Sequence, residues 1–414
     1  MSLPRLLAGI DDLPMDQRRH TSVHGELPRW RATELLAELE RSGLRGRGGG
    51  GFPLALKLAA VRRGGSSPVV VVNGTESEPM STKDRLLMWC APHLIVDGAV
   101  ALADAIGAAE VIFCLDELEP RIHESLHREI GERAEGRRLT MGIVATPGGY
   151  VTGHESAIVH WHDDGIATPL PNPPRVSERG VRRRPTLVAN VETVAHVALI
   201  ARHGADWFRE LGTEADPGTA LITLSGAVAD PGVYEIAHGE PLASLLRTAG
   251  GASEPIRAFL VGGYGGGWVD AGELPKLRLS RAQLRPFGTR LGAGVVVALG
   301  QSACPVAEIA RAAEWLSAQS AGQCGPCIHG LGSIAAGMAS IRDGDDPPTL
   351  DRVARWCELV TGRGACAHPD GVAEFISSAL RVFAPELIDH AELGRCDACD
   401  ASPTLTLSGT HAVH

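Results

Sequence analysis

The run Gly46-Arg47-Gly48-Gly49-Gly50-Gly51-Phe52-Pro53 constrains the fold more than any other stretch of the chain. Glycine accepts positive φ and lets the backbone come close to a ligand. The run lies before a helix, read from Leu54 to Val61, so consecutive N–H groups and the helix N-terminus would face an anion together. Lys57, one turn into that helix, would reach a phosphate. The spacing is neither a P-loop, which closes on Gly-Lys-Ser/Thr, nor the G-x-G-x-x-G of dinucleotide folds. Taken alone, the run is an anion cradle or a flexible surface loop.

A second cluster favours the cradle. Val72-Asn73-Gly74-Thr75-Glu76-Ser77-Glu78-Pro79 follows the β-branched strand Pro68 to Val72, and α/β proteins place ligand groups at strand ends. Its amide, hydroxyl and two carboxylates suit a ribityl chain, an isoalloxazine edge or a carboxamide. Two more clusters follow, Gly148-Gly149-Tyr150-Val151-Thr152-Gly153-His154-Glu155 and Ala189-Asn190-Val191-Glu192-Thr193.

Around these clusters the pattern alternates. Trp30 through Leu39 and Pro92 to Ala109 read as helices, and Glu110 to Leu115 as a strand, which suggests an α/β layer fold. From Thr219 the strand–turn–strand–helix order suits a small α+β domain that closes on the strand GAGVVVAL. Val306 to Ala318, Ile334 to Ile341, Leu350 to Val360 and Val372 to Phe383 give four amphipathic helical runs. The Ser/Thr-rich tail is expected to be disordered. The length of 414 residues allows two to four domains. A formal charge of -10 argues against nucleic-acid binding. Residues 1–30 hold no signal-peptide core. The most apolar stretch, His93 to Leu115, is broken by Asp97, Asp104 and Glu110, so no membrane span and a cytoplasmic location are expected.

Nine cysteines, an odd number, argue for metal or buried thiols rather than a disulfide framework. Cys324-Gly-Pro-Cys327 has the spacing of an iron–sulfur or zinc site. Cys396-Asp-Ala-Cys399 is a looser pair in the tail, with metal binding or redox cycling as its functional readings. Cys90, Cys114 and Cys357 lie on apolar faces and read as core residues.

The ordered set SGLRGRGGGGFP (42–53), VNGTESEP-x3-KDR (72–85), GGYVTGHES (148–156), NVETVAHV (190–197), LSGAVADPGVYEIAHGEPLASLL (224–246) and AGQCGPC (321–327) resembles the flavin-bearing, NADH-oxidising subunit of respiratory complex I. Relatives in NAD-reducing hydrogenases and formate dehydrogenases share it, and the likeness covers roughly residues 40–385. It implies an α/β, Rossmann-like FMN-binding domain with a helical lead-in over 1–215. It further implies a β-grasp-like (SLBB-type) domain over 216–300 and a four-helix bundle carrying an iron–sulfur site over 301–395, with the tail 396–414 outside the pattern. By position, Gly46, Arg47, Gly48, Gly49, Gly50, Gly51 and Lys57 would hold the FMN phosphate. Asn73, Glu76, Tyr150 and Asn190 would contact the flavin. Glu78 and Glu155 would line the nicotinamide side as the catalytic pair, and Phe52 would stack on the dinucleotide. Cys324, Cys327 and Cys366 would ligate the cluster. Electrons would pass from NAD(P)H through FMN and the cluster to a ferredoxin or a thioredoxin-like [2Fe–2S] protein.

The chain departs from that pattern at several positions. Ala321 stands where the family's first cluster cysteine is usual. Three outcomes stay open: a [3Fe–4S] cluster, a [4Fe–4S] cluster whose fourth ligand is non-cysteine, exogenous or another residue nearby in sequence (His329, Cys304 or His368), or a labile or absent cluster. Ala60 replaces a second stacking phenylalanine, Arg175 and Asn172 stand where a third ring is expected, and His154 replaces the first residue of a Glu-Glu pair. Thr75 replaces an aspartate and Thr152 a cysteine. Losing two rings, at roughly 0.5–1.5 kcal/mol each, would weaken NADH binding by about one to two decades. The basic run Arg175, Arg179, Arg182, Arg183 and Arg184 suits a solvated loop, the extra phosphate of NADPH, or an acidic ferredoxin. Two rivals to the NAD(P)H dehydrogenase reading remain. One is a non-enzymatic electron relay with a degenerate nicotinamide site, and the other is zinc on the bundle cysteines as a structural staple.

Overall fold

The computed structural model describes residues 3–408 apart from 12, 135–138, 172 and 345–348. Asn172 and residues 409–414 of the tail thus lie outside the described residues. Four parallel strands, β1 (Val69–Gly74), β2 (Glu110–Asp116), β3 (Thr140–Thr146) and β4 (Thr186–Asn190), form a sheet in the order β3-β2-β1-β4. β1 is buried on both faces, as a central parallel strand is when helices cover both sides of its sheet. Val70 and Val72 join the core under the helices Pro92–Ile106 and Val191–Arg209, while Val69 and Val71 face the helix Glu155–Asp164. The first two of these helices cross closely at Gly98, where an added Cβ would overlap the Val194 carbonyl. Strand order reverses between β1 and β4, and Asn73, next to last in β1, pairs in register with Asn190, the last residue of β4. Ligands in open α/β sheets bind at such a switch point.

The second sheet has the order β6-β5-β9-β7-β8, from β5 (Thr219–Gly226), β6 (Gly232–Ala237), β7 (Ile256–Val261), β8 (Gly267–Asp270) and β9 (Val295–Gly300). Leu242, Leu245 and Leu246 of the helix Leu242–Thr248 pack with Ile222, Leu224 and Phe259 on one face. Leu260, Trp268 and Val297 on the other face join the core of the helical region.

Among the described residues that region holds five α-helices, Pro305–Ala318, Leu331–Asp343, Thr349–Val360, His368–Val382 and Ala384–Leu393. The fifth was not expected. It starts after a break at Phe383, with Pro385 in its first turn, where a missing N–H does no harm. The disorder expected for the tail does not hold over 396–408. Leu405 is buried, its N–H donates to Glu308 Oε2 (3.2 Å), and its carbonyl accepts from Arg311 (2.6 Å). The Tyr264 hydroxyl donates to the Thr406 carbonyl (2.8 Å). A Ser/Thr-rich composition concealed one well-placed leucine and a line of backbone hydrogen bonds. No single described helix is long and apolar enough to cross a membrane.

Candidate functional site

The switch point opens into a cleft of about 680 Å³. The glycine run forms one wall, the helix Leu54–Arg63 another, and the ends of β1 and β4 the floor. Gly46, Gly48, Gly50, Gly51, Phe52, Lys57, Asn73, Glu155 and Asn190 all line it. The Gly46 amide donates to the Phe52 carbonyl (2.9 Å) and the Arg47 amide to Thr193 Oγ1 (2.8 Å), which fixes the shape of the loop. Gly51 has φ +56°, and a Cβ there would strike Arg281. A Cβ at Gly50 would meet nothing and would stand in open space. The loop therefore presents bare backbone, which suits the close approach of a phosphate.

The floor is locked by its own hydrogen bonds. Asn73 Nδ2 donates to the Gly153 carbonyl (2.9 Å), and Asn73 Oδ1 accepts from the Thr75 amide (3.1 Å). Asn190 Oδ1 caps the helix Val191–Arg209 by accepting from Glu192 N–H (3.0 Å), and its Nδ2 donates to Asp84 Oδ2 (2.6 Å). Beneath it lies a charge network not read from the sequence. Lys83, only 2 % exposed, contacts Asp84 (2.7 Å) and Glu192 (2.9 Å). Burial alone would raise Glu192, but Lys83, His196 and Arg47 hold its carboxyl at about 2. Glu192 Oε1 also accepts from the Leu221 amide of β5 (2.9 Å), tying the two sheets together.

Lys57 Nζ donates to Glu155 Oε1 and to the Val188 carbonyl (3.2 Å), so the residues expected at the phosphate and at the nicotinamide meet. Phe52 stands 50 % exposed at the mouth, and Leu56, in the first turn of the following helix, is 56 % exposed and lines the same cleft. Leu56 escaped the sequence reading. A partly exposed leucine carries no signal until its neighbours are known. His154 lines the cleft as the N-cap of Glu155–Asp164, its Nδ1 accepting from Ser156 N–H (3.4 Å), and burial lowers its pKa. It thus brings a neutral ring where a carboxylate is usual.

Other expected residues stand elsewhere. The Arg47 side chain turns away from the cleft toward Glu192 and the Pro217 carbonyl (3.3 Å). Gly49 lines a smaller cavity of about 380 Å³ on the other side of the loop. Glu76 caps the helix Lys83–Cys90, accepting from the Asp84 and Arg85 amides (3.0 Å each). Glu76 and Tyr150 line a separate recess of about 550 Å³, along with Trp315 and Leu407. Glu78 does not line the cleft. It is buried, accepts from the Tyr264 amide (2.9 Å), and lies within reach of the Tyr150 hydroxyl. Burial raises its carboxyl to about 8. Thr75 Oγ1 pairs with Thr146 Oγ1 (2.9 Å), and Thr152 Oγ1 donates to the Gly149 carbonyl (2.7 Å), so both threonines serve the fold. The arginine run is not one patch. Arg175 lines the cleft, whereas Arg182 and Arg184 both pair with Glu110.

Tyr150 links this region to the bundle, its ring 5.4 Å from that of His368. Cys324 and Cys366 lie close enough to Cys327 for their charges to raise its pKa, although burial is the larger cause. Cys327 sits in a π-helical turn, Pro326–Gly330, of the kind that recurs at functional sites. Of the candidate fourth ligands, His329 is exposed. His368 donates from Nε2 to the Leu316 carbonyl (2.9 Å), and its buried Nδ1 finds no partner among the described residues. Cys304 is excluded. It caps the first turn of Pro305–Ala318, while Leu316, twelve residues on, marks the His368 end. Three thiols from one turn and one loop fit an iron–sulfur site with an incomplete cysteine set.

Residues 39–199 match the Nuo51 FMN-binding domain, residues 221–281 the SLBB domain, and residues 307–390 the NADH-ubiquinone oxidoreductase-F iron–sulfur binding region. The chain is 32 % identical over 379 residues to the second F-type subunit of the NADH-quinone oxidoreductase of Rhizobium meliloti (strain 1021), covering 88 % of this chain and 90 % of that one. It is 33 % identical over 377 residues to the F-type subunit of the NADH-quinone oxidoreductase of Streptomyces coelicolor, covering 86 % and 83 %. Among solved structures, NAD+-reducing [NiFe]-hydrogenase in the H2-reduced state aligns with a TM-score of 0.80 at 30 % identity. That match covers 87 % of this chain but 63 % of the hydrogenase chain, so this protein spans less than two thirds of it.

Proposed function

The chain belongs to the family of F-type subunits of NADH-quinone oxidoreductase, with its FMN-binding domain and its 4Fe–4S-binding region, and on that footing we propose that it oxidises a nicotinamide dinucleotide at FMN and delivers electrons to a protein partner. The observation that carries this reading is the cleft itself, which gathers the glycine loop, Lys57, Asn73, Glu155 and Asn190 at the switch point. Bound there, FMN would supply the conversion of a hydride's two electrons into single-electron steps. Lys57 and the bare loop would hold its phosphate. Asn73 and Asn190 would shape the floor under the ring. Glu155, released from Lys57 by the phosphate, would face the nicotinamide, with Phe52 and Leu56 covering the mouth. Glu78, buried off the cleft against the Tyr264 amide and the Tyr150 hydroxyl, would hold Tyr150 in place rather than touch the nucleotide. Cys324, Cys327 and Cys366 would hold the iron–sulfur cluster, which would supply the one-electron chemistry toward a ferredoxin or a thioredoxin-like [2Fe–2S] protein. A cytoplasmic location belongs to the same proposal.

Purified chain reconstituted with FMN should bleach in the visible when NADH or NADPH is added. Bound flavin that neither nucleotide bleaches sinks the dehydrogenase half.

A second reading, an electron relay without nucleotide oxidation, draws on Ala60, Arg175 and the neutral His154 lining the cleft. Dye reduction driven by NAD(P)H and abolished by Glu155→Gln rules it out.

A further inference from the structure

We propose that Cys304, His390, Cys396 and Cys399 form a zinc site, distinct from the iron–sulfur site, that fastens the C-terminal segment to the helical bundle. The four residues come from three places in the chain: the cap of Pro305–Ala318, the end of Ala384–Leu393, and the turn Asp397–Asp400. Their ligand atoms all lie within 4.8 Å of one another. Cys304 Sγ is 3.5 Å from His390 Nε2 and 3.5 Å from Cys399 Sγ, and Cys396 Sγ is 3.8 Å from Cys399 Sγ. A tetrahedral zinc, with Zn–S near 2.3 Å and Zn–N near 2.0–2.1 Å, sets its ligand atoms about 3.5–3.8 Å apart. The spacing therefore fits a single ion. A four-iron cluster takes each thiolate on a different iron and holds the sulfurs farther apart.

The donor set and its support agree with zinc. Three cysteines and one histidine make a closed structural coordination with no open position. His390 Nδ1 lies 3.1 Å from the Arg342 carbonyl, which only accepts, so Nδ1 carries the proton and Nε2 is left bare toward the thiols. The Ala307 amide donates to Cys304 Sγ (3.4 Å), and the Cys399 amide to the Cys396 carbonyl (3.0 Å), which sets the turn. Cys366 lies two residues from His368, which bonds Leu316, twelve residues along the helix from Cys304. At 1.5 Å per residue that is about 18 Å, too far for the two thiol groups to share an ion.

Downstream of Cys399 the chain follows the same helix back toward the flavin side. Glu308 takes the Thr404 and Leu405 amides, Arg311 the Leu405 carbonyl, and Leu407 lines the recess that holds Tyr150 and Glu76. The site is the anchor from which this strap runs.

The full chain is to be purified anaerobically and its zinc, iron, sulfide and flavin measured. Expected are a single zinc per chain beside the iron, loss of the zinc in Cys396→Ser/Cys399→Ser with flavin and iron kept, and loss of the iron in Cys324→Ser/Cys327→Ser with zinc and flavin kept. Wild-type protein without tight zinc, a Cys396–Cys399 disulfide in place of metal, or zinc retained in the first double variant overturns the proposal. Should that variant fail to fold, cobalt titration of the zinc-stripped Cys324→Ser/Cys327→Ser protein decides. Intense four-coordinate thiolate bands that zinc abolishes are expected, and weak six-coordinate bands overturn the site.

Discussion

Lys57 and Glu155 are joined across the cleft by a direct ammonium–carboxylate hydrogen bond, from one helix wall to the other. A phosphate entering the glycine loop competes with Glu155 for Lys57. Removing Lys57 with Lys57→Met should lower FMN affinity by about 10- to 100-fold, the range for a hydrogen bond to a charged group. Removing the competitor with Glu155→Gln should leave FMN affinity equal or higher while nucleotide-driven bleaching falls. Flavin titration by fluorescence checks both, and a matched loss of FMN in the two variants contradicts the competition.

Arg175 is the single member of its arginine run on the cleft. If it receives the 2′-phosphate of NADPH, Arg175→Ala should weaken NADPH by about 10- to 100-fold and leave NADH within about two-fold. Steady-state KM values for both nucleotides test this, and equal effects on the two point to a role in the shape of the loop.

Glu78 gives the apo chain a pH signature. Its carboxyl ordinarily titrates near 4.5 and is raised by burial to about 8. Below 4.5 both folded and unfolded chains hold the proton. Between 4.5 and 8 the unfolded chain releases it and the folded chain keeps it, so stability falls as pH rises through that window. Above 8 the penalty is complete. Glu78→Gln lacks this term, so its urea midpoint should gain on wild type from pH 5 to pH 8. A gap that does not move with pH removes Glu78 from the account.

Lys83 is the cation on which Asp84 and Glu192 both rest. Lys83→Met leaves those carboxylates buried without the cation they share, at a cost of about 3–5 kcal/mol. The midpoint of chemical unfolding should drop accordingly, and adding Glu192→Gln should restore part of it. Additive losses in the double variant argue that the three groups do not act as one network.

The parts of this protein that could be read from its sequence are local ones. Gly46–Gly51, the β-branched run of β1 and the Cys324–Cys327 spacing each carry their meaning within a few residues. The cleft followed from them because Asn73 and Asn190 pair at the C-terminal ends of β1 and β4, both inside motifs legible in the sequence. What escaped depends on how the chain returns on itself. The half-exposed strand β3 carries only a weak apolar alternation. Lys83, Asp84 and Glu192 look like surface charges until burial shows that they satisfy one another. Cys304 meets Cys399 across 95 residues, a pairing that no spacing rule anticipates. Glu78 turns from the cleft for the same reason. Its neighbours along the chain belong to the cleft motif, but the glycine at 263, whose Cβ would overlap Glu78 Oε2, leaves it room to turn under the second sheet instead.

The carboxamides of Asn73 and Asn190 are already engaged, one with the Gly153 carbonyl and the other with Asp84. A ligand settling on that floor finds side chains whose rotamers were fixed when the chain folded, so no ordering of the floor is charged against its affinity. The cleft is a mould rather than a grip. Its selectivity comes from refusing shapes that do not fit, and a flavin once seated leaves by lifting out whole, with nothing on the floor to open first.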